Sequence, residues 1–378
     1  MGNFDEIKNL TKALNKKYGR KVVKTGNEIE RVVKIPFREP KLDYITNGGL
    51  PLNRFTEFLG EPSSGKSRDA AIMLESFQHY CFNCHTFSLK CSWQLDKDGF
   101  PEVKSIKCKC KEPKTCVNVI IDIEGTIELD FLEFFDIDTN GIYICRSESP
   151  SMTANLLQAY LENPLVGLII ADGIGMQSSD AELETAAEDI KMNSGARVSN
   201  IAIRKWLSAL NKNTNTYEGT SPTTVILINR MYQTIGGMYN SEVPQGGGGL
   251  KHGKGLSIHR RRPNSGNVYK DAKTKDEIIG FFRKLSVIKS KTGIPEKKTE
   301  QYINLDPENA EGIGYLRADL NLEYIDIAID LGLITSKGGW YYFEDKKYHG
   351  REALNEAVKT EESIKKSVNK IIYGKEKI

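Results

Sequence analysis

Between Gly60 and Ser67 the chain reads GEPSSGKS, and these residue types at this spacing suit the binding of a polyphosphate. Gly60 and Gly65 leave the backbone free to wrap an anion, and Glu61, Pro62, Ser63 and Ser64 span the turn between them. Lys66 can reach the β- and γ-phosphates, the Ser67 hydroxyl is a Mg²⁺ ligand by type, and Arg68 follows directly. Two acids downstream fit the same chemistry. Asp172 closes the apolar run GLIIAD, where a carboxylate can orient the hydration shell of Mg²⁺. Glu124 closes the run NVIIDIE, where an acid can position a water against a terminal phosphate; a solvated or capping acid is the equal alternative.

A second chemistry lies between Cys81 and Cys116, which hold six of the 7 cysteines. In a reducing compartment such a cluster points to metal rather than disulfides. CFNC at 81–84, CKC at 108–110 and a later Cys116 suit a structural tetrahedral Zn²⁺ site. Four ligands come from Cys81, Cys84, Cys108, Cys110 and Cys116; the choice among the last three is open, and Cys91 or His85 can also take part. The residues between them have the look of a β-hairpin turning at Asp98-Gly99, with too little apolar surface to hold itself. Its lysines, from Lys90 to Lys114, offer a further contact for DNA.

These side chains need a frame. RFTEFL before the loop alternates as a strand, and SRDAAIMLESFQ after it reads as a helix whose N-terminus faces the phosphates. NVIIDIEG, GLIIADGIG and TTVILINRMY are buried strands, and their alternation with helices predicts an α/β fold with a mainly parallel sheet. Residues 4–18 predict an amphipathic helix bearing Phe4, Ile7, Leu10 and Leu14, followed by extended segments at 21–24 and 31–37. The division expected is 1–35, a core of 36–305 with 79–116 inserted, and a separate unit at 306–378. The glycine run with Gly246, Gly247 and Gly248 is either a linker or, with Lys251, Lys254 and Arg260 to Arg262, a loop for a nucleic-acid backbone. With 378 residues, 39% hydrophobic, the chain can bury one large core. A net charge of +3 makes any polyanion site local. No long apolar run or signal core is present, so no membrane partner and a cytoplasmic location are expected.

In this order the pieces resemble the RecA family of recombinases, across most of the chain outside 79–116. The carriers are KLDYITNGGLPLNRFTEFLGEPSSGKS, IDIEGTIELDFLEFFDID, LIIADGIGM, DAELETAAEDIKMNSGARVSNIAIRKWL, LINRMYQTIGGMY, QGGGGLKHGKGLSIHRRR, LSVIKSKTGIP and GGWYYFEDKKYHGREAL. The resemblance implies a RecA-type P-loop ATPase core, an N-terminal polymerisation segment, a zinc-ribbon-like insertion and a small α+β C-terminal domain. It places the catalytic glutamate on Glu124, an adenine-stacking aromatic on Phe131 and an acid facing the adenine amino group on Glu128. Arg197 and Arg204 fall on positions that touch single-stranded DNA, and Lys289 and Lys291 on lysines that reach the neighbouring subunit's ATP.

The departures matter as much. Arg230 stands where the family has a glutamine that senses the γ-phosphate, so it can contact that phosphate or bind DNA. Tyr232 replaces a basic position and can stack on bases, and His252 replaces an aromatic. The lysine-rich KKSVNKIIYGKEKI stands where the family carries acids, so autoinhibition by acidic charge is not expected. The implied activity is a DNA-dependent ATPase using ATP, Mg²⁺ and Zn²⁺. It forms helical homo-oligomers on single-stranded DNA and pairs them with homologous duplex DNA. Arg262 and Lys284 are further candidates for the duplex site. A recombination mediator and a RecA-fold ring motor are the alternatives.

Overall fold

The computed structural model describes residues 2–18, 22–28, 32–174, 203–210, 223–233, 242–244, 251–262, 268–270, 277–308 and 313–374. Its centre is a 9-stranded sheet. In chain order the strands are β1 Phe55–Gly60, β2 Val117–Asp122, β3 Ile142–Arg146, β4 Val166–Asp172, β5 Thr224–Asn229, β6 Leu256–Arg261, β7 Val268–Lys270, β8 Ile278–Ser290 and β9 Lys298–Asn304. Across the sheet they run β7-β8-β6-β1-β5-β4-β2-β3, with β9 also on β8. From β6 to β3 every pairing is parallel, whereas β7, β8 and β9 add an antiparallel wing.

The helices are α1 Gly2–Lys17, α2 Pro40–Thr46, α3 Lys66–His79, α4 Leu129–Glu133, α5 Pro150–Leu161, α6 203–210, α7 Leu320–Asp330, α8 Gly350–Thr360 and α9 Ser363–Tyr373. The near-continuous apolar runs of β2, β4 and β5 follow from burial on both faces. Ile120, Ile170, Ile226 and Ile228 meet Ile72, Met73 and Phe77 of α3 on one face. On the other, Val119, Ile121, Ile169, Val225 and Leu227 meet Leu157 and Leu161 of α5 and Trp206 of α6. The sheet therefore carries two apolar layers, and the α/β, mainly parallel class expected of the sequence is the one that forms.

Between α3 and β2 a hairpin of Lys90–Leu95 and Pro101–Lys107 leaves the core. Trp93 on its apolar face is buried over Gly141, and its backbone N–H donates to Asp138 Oδ2 at 2.9 Å. Beyond β9, α7 to α9 and a three-stranded meander enclose a core of their own around Ile325, Phe343, Leu354 and Val368. Glu323 and Tyr373 tie this unit to α2, accepting from Lys41 N–H at 2.9 Å and donating to Asp43 at 2.7 Å.

One local expectation is corrected. The extended run at 31–37 shrinks to Lys34–Ile35, paired with Leu50–Pro51, because Pro36 supplies no N–H to continue a ladder. Within the extended segment expected at 21–24, the described residues 22–24 join no sheet, and a short 3₁₀ turn follows at Gly26–Glu28. The amphipathic helix forms as α1, with Phe4, Ile7 and Leu10 exposed by 82%, 61% and 59%. Among the described residues, no helix is long and apolar enough to cross a membrane.

Candidate nucleotide site and metal centre

The carboxyl ends of β1, β2, β4 and β5 lie side by side, the edge where open α/β sheets bind ligands. The phosphate loop leaves β1 at Gly60 and enters α3 at Lys66. Gly65 caps that helix at φ 86°, and its missing side chain leaves room for the Arg283 guanidinium. Lys66 Nζ donates to Gly60 O at 3.0 Å and Glu61 O at 2.7 Å. Burial, with the Arg260 and Arg230 guanidiniums nearby, lowers its ammonium to about 8.

Ser67 Oγ donates to Asp172 Oδ2 at 3.2 Å, joining the start of α3 to the end of β4. Burial, with the Glu124 carboxylate adding, pushes the Asp172 carboxyl up to about 6. Two hard oxygen donors in a crowded carboxylate group fit Mg²⁺, whose charge would relieve that crowding. Glu124 stands on the loop after β2, and Gly173 at φ 91° leaves it space, since a Cβ there would lie 2.6 Å from Glu124 Cγ. Arg230 Nη2 donates to both Glu124 oxygens, at 3.1 and 3.0 Å.

A cavity of about 560 Å³ opens beside the loop, bounded by Ser63, Lys66, Phe131, Phe281, Leu305 and Arg262. It is apolar enough on one wall to take a nucleoside base next to Phe131. Glu128 lies exposed just before α4. Arg262, a candidate for the duplex site, borders this cavity and is exposed, and Lys284 faces Glu300 at 3.5 Å on the antiparallel wing.

Sequence spacing missed two acids. Asp122 accepts from the N–H groups of Gly125, Thr126 and Ile127 and so folds the loop that carries Glu124. Asp69 is buried among Arg68, Arg260 and Arg283. Its signal was a carboxylate three and four residues before Ile72 and Met73, on the inward face of α3.

The other predicted residues scatter. Lys289 Nζ and Lys291 Nζ donate to the carbonyl of His252, at 3.3 and 3.1 Å. Arg204 and Lys251 are exposed. Arg197, Gly246, Gly247, Gly248 and the Tyr232 side chain lie outside the described residues. Lys254 and Arg260 are corrected: both are buried, ion-paired with Glu57 and Asp69, and neither is free to contact a nucleic acid.

In the insertion, the ligand atoms of Cys81, Cys84, Cys108 and Cys110 all lie within 4.8 Å of one another. Cys81 Sγ is 3.6 Å from Cys110 Sγ, and Cys84 Sγ 3.5 Å from Cys108 Sγ. A tetrahedron with Zn–S bonds of about 2.3 Å has sulfur–sulfur edges near 3.8 Å, so this donor set fits zinc. Cys116 leaves the candidate set: it is buried at the foot of β2, close against Gly167. Cys91 pairs across the hairpin with Ile106, and His85 Nδ1 lies 3.2 Å from Tyr80 Oη.

The chain is similar to proteins of known kind. The RecA N-terminal domain family matches residues 103–308. Protein RecA of Porphyromonas gingivalis is 25% identical over 363 residues, covering 95% of this chain and 90% of that protein. Protein RecA of Chlorobaculum parvum is 25% identical over 361 residues, 94% of this chain and 88% of the relative. Protein RecA of Chloroherpeton thalassium is 26% identical over 372 residues, 95% and 87% respectively.

Proposed function

The chain belongs to the RecA family, and on that premise we propose that it is a DNA-dependent ATPase that assembles on single-stranded DNA and promotes homologous pairing. The observation that carries this is the convergence of Lys66, Ser67, Glu124, Asp172 and Arg230 on one sheet edge, with Ser67 and Asp172 3.2 Å apart. ATP is the substrate, its base against Phe131 and its phosphates along residues 60–68.

In hydrolysis, water attacks the γ-phosphorus and the bond to the ADP oxygen breaks. Glu124 takes the proton from that water, and Lys66 offsets charge on the phosphates. Ser67 and Asp172 would hold Mg²⁺, which when bound supplies charge neutralisation on the β- and γ-oxygens. When Glu124 accepts a proton its charge is neutralised, so the pair with Arg230 that both of its oxygens make is weakened. Cys81, Cys84, Cys108 and Cys110 would hold a structural Zn²⁺.

Lys289 and Lys291 are proposed to complete the ATP site of the next protomer. Arg197, Arg204, Tyr232, Lys251 and the run Gly246 to Gly248 are proposed to line single-stranded DNA on the filament axis. α1, with its exposed Phe4, Ile7 and Leu10, is the proposed polymerisation contact, and the setting is cytoplasmic. The test is phosphate release with and without single-stranded DNA, for the native chain and Glu124→Gln. Stimulated hydrolysis that Glu124→Gln abolishes, with ATP-dependent DNA binding kept, is the expected result. The Arg230–Glu124 pair favours one second reading, a mediator with negligible hydrolysis. DNA binding with no turnover in the native chain would select it.

A further inference from the structure

Beneath the phosphate loop lies a buried cluster with more cations than anions. Arg68, Arg260 and Arg283 surround Asp69, and Glu39 pairs with Arg68. Arg260 and Arg283 are among the largest fully buried side chains. Arg260 Nη2 is buried with no hydrogen-bond partner among the described residues. Burying guanidinium groups is costly unless they do something the fold or its ligand needs.

Arg283 shows what that is. Its Nε donates to Gln301 Oε1 at 3.0 Å and its Nη2 to Asp69 Oδ1 at 2.6 Å, so the fork is fixed on that side. Its Nη1 reaches up to the carbonyls of Gly65 at 3.2 Å and Ser64 at 3.4 Å. Each of those carbonyls shares a planar trans peptide unit with the next N–H, so carbonyl and N–H point in opposite directions. The Gly65 carbonyl also accepts from the Asp69 N–H at 3.1 Å in the first turn of α3, so there Arg283 adds to the helix, and it is the side chain that draws the Ser64 carbonyl down. With both carbonyls directed inward, the N–H groups of Gly65 and Lys66 turn outward. Successive N–H groups aimed at one side form an anion nest.

We propose that Arg283 is a positioning residue for polyphosphate binding, holding two consecutive peptide units of the loop in the orientation that a phosphate chain requires. The proposal rests on the nucleotide-site reading above and extends it to a residue on β8, outside the loop. Gln301 accepts from Arg283 and donates to Glu39 and Glu323, which keeps the fork from rotating away. A lysine at this place would keep the charge beside Asp69 and lose the fork.

The test measures displacement of a fluorescent ADP analogue by pyrophosphate and, separately, by adenosine, in the native chain, Arg283→Met and Arg283→Lys. Thermal melting checks folding. Loss of the charge-assisted contact predicts pyrophosphate competition about tenfold weaker in Arg283→Met and about threefold weaker in Arg283→Lys. Adenosine competition stays unchanged in both. If Arg283→Met does not fold, Arg283→Lys decides alone. Unchanged pyrophosphate competition, or equal weakening of adenosine and pyrophosphate, overturns the role of Arg283 and leaves the nucleotide site standing. A native chain that binds no ADP analogue overturns the nucleotide site and this proposal with it.

Discussion

Replacing Arg230 with glutamine isolates its hold on Glu124. Arg230 Nη2 reaches both carboxylate oxygens at 3.0 and 3.1 Å. Unit charges about 4 Å apart attract by about 4 kcal/mol at an effective dielectric of about 20. The two side chains are 34% and 22% exposed, so solvent screens the pair. The net hold is then about 1.5 kcal/mol, within the range for a hydrogen bond to a charged group. A general base that takes a proton gives up nearly all of that, about 1.4 kcal/mol, which slows turnover about tenfold. Arg230→Gln is therefore expected to raise DNA-free phosphate release about tenfold at saturating ATP. If single-stranded DNA stimulates by drawing Arg230 off Glu124, its stimulation shrinks by the same factor. The double variant Arg230→Gln, Glu124→Gln should be inactive, which assigns the gained rate to this site. Basal release that falls, or does not move, in Arg230→Gln would refute the hold and leave Arg230 as a direct phosphate or DNA contact.

Other outcomes follow from the same geometry. Metal analysis should find a single zinc per chain, and Cys84→Ser or chelation should speed proteolysis around the buried Leu89 and Trp93; full zinc content in Cys84→Ser would count against this donor set. Trp93→Ala leaves a cavity over Gly141 and should loosen the hairpin by about 3–5 kcal/mol, read as earlier melting of that segment alone. Burial raises the Asp43 carboxyl to about 7 and the Glu323 carboxyl to about 8. The folded chain thus keeps protons that the unfolded chain releases near about pH 4, so stability falls as pH rises through that window and levels above it. Urea midpoints at pH 5 and 8 test this, and Asp43→Asn should flatten the slope; midpoints that rise with pH would contradict it.

The parallel core was legible because its strands are buried on both faces and read as unbroken apolar runs. The loop at 60–67 was legible because phosphate binding restricts which residues can stand there. The same logic found Asp172, at the end of such a run. The buried charges were not legible. Arg260 and Lys254 read as basic surface beside a glycine run, yet their partners, Asp69 and Glu57, lie 191 and 197 positions away. Cys116 shows a related limit. Spacing counts cysteines along the chain, whereas the hairpin decides which thiols come together. The knuckle at Cys81 and Cys84 closes on Cys108 and Cys110, and the strand that follows carries Cys116 into the core.

The insertion is also a closed excursion. Cys81 and Cys84 stand at its entrance, Cys108 and Cys110 near its exit, and Phe82 N–H donates to Lys114 O at 2.9 Å. Chain enters and leaves at nearly one point. A stretch with this shape can be gained or lost by a gene as a cassette, because a short turn would rejoin α3 to β2 without moving Lys66 or Glu124. Excising residues 83–113 with a short glycine linker should therefore leave a chain that still melts cooperatively, and collapse of the whole sheet on excision would show that the cassette has since become part of the frame.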